Sequence, residues 1–252
     1  MASIVSAFSD AFIEKHSFLK IALYAIPVYI TYNLFVAGNM AAYYIMAAIT
    51  SSILFALMTV GINNVRENNR EILTLNPLKL IFVFLKTLVV IVPHSLLWGW
   101  LGYMGITYCT ATIQDTTVSL IFSIIIWVVV GTIPFTAYLA FAKYLDIRDG
   151  YNLQIIFMSC FDIFAALIFY VLQMAIVIPV IIGPFAYAYW LLHVPFNHWS
   201  FLVICSLAVV ANVSISANYF AQVSYEYIVL SNDRKDDYQI TKLVDEMDTN
   251  KN

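Results

Sequence analysis

This sequence predicts an all-α, polytopic membrane protein, a bundle of six transmembrane helices, and three observations carry that prediction. Only 11% of its 252 residues are charged, while 62% are hydrophobic. A soluble domain carries about 25% charged residues, and so few charges cannot cover a water-facing surface. The mean hydropathy of +0.85 agrees. The second observation is run length. Residues 118–142 include no formal charge, and a helix needs roughly 20 apolar residues to cross the hydrocarbon core. A β-barrel would instead alternate polar and apolar residues over strands of about ten.

The third observation is where the basic residues fall. Spans are expected at 19–36, 41–62, 80–105, 118–142, 162–183 and 200–222. On that count all 12 lysines and arginines lie on one side: Lys15, Lys20, Arg66, Arg70, Lys79, Lys86, Lys143, Arg148, Arg234, Lys235, Lys242 and Lys251. The opposite connections, near Gly38, at 107–117 and at 191–199, have none. The positive-inside rule then puts both termini in the cytoplasm. A wrong span count would scatter these charges across both faces. A cell membrane is the expected location, and the low Lys and Arg content with abundant Ile, Asn and Tyr fits a bacterial inner membrane.

Taken in order, residues 1–18 read as an amphipathic interfacial helix rather than a cleavable signal peptide. Ile4, Phe8, Ala11 and Phe12 share a face, and acidic Asp10 and Glu14 stand where a basic region would be expected. Residues 19–230 form the six-span domain. Its fifth segment is troublesome, because 155–192 holds no basic residue. As one helix it would run about 57 Å against a core of about 30 Å. The expectation is therefore an interfacial stretch at 151–160 and a break at "PVIIGP", Pro179 to Pro184. An aromatic belt follows, with Trp98, Trp100 and Tyr103 at the same outer level. Residues 231–252 form an acidic cytoplasmic tail.

Charged patches of one flavour recur, in "NNVRENNREI", "YLDIRDGYNLQI" and "SNDRKDDYQI". They close spans two, four and six. With a proline in spans one, three and five (Pro27, Pro93, Pro179), this pattern suggests an internal repeat of three hairpins, in imperfect register. Three hairpins are also the plan of the mitochondrial carrier family, but its Pro-x-acid-x-x-base motif follows none of these prolines.

The most informative candidate site is the polar stripe on span six. Ser214, Asn218, Gln222 and Glu226 are spaced i, i+4, i+8 and i+12, with Asn212 and Ser216 beside them. Hydrocarbon cannot satisfy amides, so this face must turn to other helices or to a wet cavity. Two readings stay open: interhelical hydrogen bonds holding the bundle together, or a solute-binding surface at Asn212, Ser214, Asn218 and Gln222. Asp162 is either an intramembrane carboxylate or a marker of the inner interface, and an ion pair or coupling site with Lys86 is a further expectation. Lys86 would otherwise snorkel to that interface. Arg66, Arg148 and Arg234 are candidate cytoplasmic docking residues.

On the outer side, His94, His193 and His198 could meet Asp115 or Cys109 around a metal. They lack ligand spacing, however, and no metal is expected. Cys109, Cys160 and Cys205 read as buried small apolar residues. No metalloprotease, nucleophile-elbow or P-loop motif is present. The expectation is therefore a non-enzyme without cofactor. It is a small permease or the membrane subunit of a transporter, or else a scaffold or accessory protein acting through its charged loops. Expected partners are the bilayer and other membrane or cytoplasmic subunits, and no nucleic acid.

Overall fold

The computed structural model describes residues 3–13, 16–67 and 72–229. The acidic tail, Arg234, and Lys15, Glu14 and Arg70 lie outside the described residues, and so do the expectations placed on them. Seven α-helices and no strand are found among the described residues. α1 spans Ile4–Ile13, α2 Ser17–Val36, α3 Met40–Arg66, α4 Pro77–Thr112, α5 Thr116–Tyr144, α6 Leu153–Leu191 and α7 Trp199–Tyr227. The last six are long and apolar enough to cross a membrane. The protein is a polytopic helical membrane protein.

Polar side chains in the connections start these helices. Asn39, Asn76, Asp115, Asn152 and His198 each accept a backbone N–H from the first turn of the helix that follows. Such caps satisfy donors that a helix cannot pair internally. Pro77 at the start of α4 gives up an N–H that would be unpaired there in any case.

Each span packs on its neighbours in the chain, and α2 closes on α7. Inside this ring α3, α5 and α7 touch one another. Thr59 of α3 shares a hydrogen bond with Tyr138 of α5 at 3.1 Å. Phe55 stacks on the same tyrosine, and Phe135 of α5 meets Phe220 of α7 edge-on. At the α3–α7 crossing, a Cβ on Gly61 would come within 2.8 Å of the Ala217 Cβ. That position requires glycine for the backbones to approach this closely.

The core is not spread evenly along the bundle. Buried residues of α2 run from Ser17 to Val28, those of α3 from Thr50 to Asn64, and those of α7 cluster from Ser214 to Ser224. In α5 they run from Thr132 to Lys143, with Ser119 apart. These stretches all lie toward the end that carries the described basic residues. Away from it the helices present mostly exposed apolar side chains, which a lipid solvent tolerates.

Two expectations about the spans need correction. The fifth segment is not broken: α6 is one helix of 39 residues through Pro179 and Pro184, about 58 Å long. Proline removes one hydrogen bond, but within a bilayer no competing solvent stabilises the broken form. α6 therefore tilts or extends beyond the hydrocarbon. Asp162 accordingly stands nine positions into the helix rather than at its start.

His94 and Trp98 are the second correction. His94 lies level with the connection between α5 and α6, at the basic end, because its Nε2 donates to the Gly150 carbonyl at 2.9 Å. Trp98 meets Phe157 edge-on near the start of α6. Neither residue belongs to an outer belt. α4 continues for 36 residues, so the assumed boundary at 105 placed them too far out.

Candidate functional site

The polar face of α7 is closed by α1. The Gln222 Nε2 donates to Asn218 Oδ1 at 2.7 Å and to Ser6 Oγ at 3.2 Å. Its Oε1 accepts the backbone N–H of Ser3 at 2.9 Å. Ser3 sits at the start of α1, where N–H groups have no partner inside the helix. A side chain from the far end of the sequence therefore caps α1. Ile4, Ala7 and Ala11, on the apolar face of α1, are buried in the same core as Ile215 and Tyr219 of α7.

The members of the stripe separate on inspection. Asn218 is buried and bonded to Gln222. Ser214 is 1% exposed, and its Oγ has no hydrogen-bond partner among the described residues. Asn212 is half-buried and borders an apolar cavity between α1, α6 and α7. Ser216, beside the stripe, bonds the Tyr170 hydroxyl of α6 at 2.5 Å. Tyr219 donates to the Ala166 carbonyl at 3.0 Å. The α6–α7 pair is thus joined by tyrosine hydroxyls, and the α1–α7 pair by the Gln222 amide.

Lys86 and Asp162 do not pair. The Lys86 Nζ reaches the Leu145 carbonyl at 3.4 Å, and Asp162 is an exposed residue of α6. The α5–α6 connection lies against α4 and supplies an uncharged acceptor first. Of the docking arginines, Arg148 is exposed. Arg66 is instead committed inside the fold, with its guanidinium 3.4 Å from the Tyr144 ring centre and a hydrogen bond to the Tyr144 hydroxyl. The three cysteines are half-buried rather than buried.

A second polar centre, missed in the sequence, gathers at the basic end. The Lys143 side chain is 1% exposed and donates to the Ile228 carbonyl at 2.6 Å, just past the end of α7. A cation is favoured where helix carbonyls are left unpaired. The Asn63 Nδ2 donates to the Lys143 carbonyl at 3.1 Å, and the Lys79 Nζ to Asn64 Oδ1 at 3.1 Å. This cluster ties the ends of α3, α5 and α7 together.

The third centre is the seat of the α5–α6 connection on α4. Pro93 lacks the N–H that would bond the Val89 carbonyl, and the Tyr151 hydroxyl donates to that carbonyl at 2.5 Å. His94 stacks on the Tyr151 ring. A Cβ on Gly150 would approach the Val90 Cγ1 to 2.6 Å, so only glycine lets the turn sit this close. Pro93 and His94 both carried a signal in the sequence, though His94 was read on the outer side.

Among the described residues no group of histidine, cysteine and acidic side chains is arranged to hold a metal ion. Comparison with protein-family models, curated proteins and solved structures finds nothing that matches this chain.

Proposed function

We propose that the chain is a small permease, or the membrane subunit of a transporter, in which the polar face of α7 lines a solute path that α1 closes in the state described here. The observation that carries this reading is the seal on Gln222. Gln222, whose amide also bonds Asn218, is held by a helix of 10 residues through Ser3 and Ser6. Such a helix can leave the amides without dismantling the bundle. The solute-binding set is Asn212, Ser214, Asn218 and Gln222, and no catalytic residue or cofactor is assigned.

The proposal includes a cell-membrane location, a bacterial inner membrane, with the basic end and both termini cytoplasmic. The three hairpins, α2–α3, α4–α5 and α6–α7, put α3, α5 and α7 in mutual contact, which supports the three-hairpin repeat.

The test uses Asn218→Cys in a background lacking Cys109, Cys160 and Cys205, with a membrane-impermeant thiol reagent. Labelling should be slow in the parent and faster by about tenfold with Gln222→Leu. Losing two interhelical hydrogen bonds of about 0.6 kcal/mol each raises the open population by roughly that factor. If the rate is the same with and without the amide, the stripe is glue between helices. The second reading, a scaffold or accessory protein for other membrane or cytoplasmic subunits, would then stand. It is favoured by the exposure of Lys86 and Arg148 side by side with a sealed amide stripe.

A further inference from the structure

We propose that the cleft between α1, α6 and α7 binds an acyl chain of a membrane lipid. The inference does not rest on the solute path, because it concerns the apolar walls of the cleft, although Asn212 borders both. The cleft is a cavity of about 150 Å³ whose walls include Phe8 and Phe12 of α1, Met174 and Ile178 of α6, and Ala211 and Asn212 of α7. A further hollow of about 350 Å³ lies beside it. The two share Phe8 and Ile215 as walls, so Phe8 stands where they adjoin.

Three physical points select the occupant. Water needs two to four polar partners to occupy a cavity. Among the described residues Asn212 is the one polar side chain on these walls, so water is disfavoured. Apolar cavities of about 150 Å³ admit a molecule the size of benzene, which corresponds to the end of an alkyl chain and not to a whole lipid. Finally, α6 and α7 are membrane spans, and the fluid around them is hydrocarbon. The space exists because Ala208 and Ala211 face the bulkier residues of α6. α1 adds a third wall, which distinguishes the cleft from ordinary lipid-facing surface.

The experiment places the full-length protein in vesicles of phosphatidylcholine that carry a diazirine near the end of one chain. After photolysis, labelled peptides are mapped by mass spectrometry. Adducts should concentrate around Met174 to Ile178 and Phe8 to Phe12, and should be lost from both in Ala211→Phe. Ala208→Phe narrows the same cleft one turn away and serves if the first variant does not fold, as judged by gel filtration. Adducts spread evenly over exposed residues such as Leu120, Ile125 and Leu172, and indifferent to either phenylalanine, would overturn the proposal.

Discussion

Gly61 stands at a close contact between α3 and α7, and its neighbours make the consequence of a single methyl group calculable. A Cβ there meets the Ala217 Cβ at 2.8 Å and the Ile72 carbonyl at 3.2 Å. Neither is the end of a flexible side chain, so the helices must separate. Gly61→Ala should therefore cost about 1–3 kcal/mol, the usual range for overpacking. Equilibrium unfolding in mixed micelles measures it. Adding Ala217→Gly removes the clashing methyl and should restore part of the loss. If the double variant is no more stable than the single one, α3 and α7 do not cross at Gly61. Tyr151 offers a polar counterpart at the same scale. Its hydroxyl pairs the Val89 carbonyl, and Tyr151→Phe should cost about 1 kcal/mol by leaving that acceptor unmatched.

At the scale of elements, the reason for that hydroxyl is a proline. Pro93→Ala would return a backbone N–H to the Val89 carbonyl within α4. In that background the Tyr151→Phe penalty should shrink toward zero, and a double-mutant cycle reports the difference. Equal penalties in both backgrounds would mean that the hydroxyl acts elsewhere. α6 poses a different question, since its 39 residues exceed what the hydrocarbon core takes. Cysteine scanning from Leu153 to Leu191 should find about 20 consecutive positions shielded from aqueous thiol reagents, with labelling at both ends. Shielding along the entire helix would require an extreme tilt.

The whole molecule is a ring of six spans whose packed core lies toward one end, and the described basic residues mark that end. Proposed as cytoplasmic, this orientation has a direct check in intact cells. A cysteine at Asp115 should label from outside, and one at Asn152 only after permeabilisation. External labelling at 152 would invert the molecule. The cluster of Asn63, Arg66, Lys143 and Tyr144 joins α3, α5 and α7 at that end. The parts of α4 and α5 away from the basic end, by contrast, present bare apolar faces. Opening motions of the bundle are therefore expected away from the basic end, where fewer side chains must repack.

Composition and run length by themselves determined that this chain is a helical membrane protein with six spans, because lipid admits almost no other solution for so apolar a sequence. The polar stripe on α7 was equally legible, since the helical period places Asn218 and Gln222 on one face whatever surrounds them. What covers that face was decided only by the tertiary structure. One partner of Gln222 across the α1–α7 contact is a backbone N–H at Ser3, and backbone donors carry no side-chain signature. Depth along the membrane was likewise hidden. His94 read as an outer residue, yet Gly150 and Tyr151 dock on it and on the turn before Pro93 at the basic end. The fate of Lys86 follows the same logic. Charge complementarity suggested Asp162, while a nearer Leu145 carbonyl took the contact. Periodicity specifies which way a residue faces, and only packing specifies what it meets there.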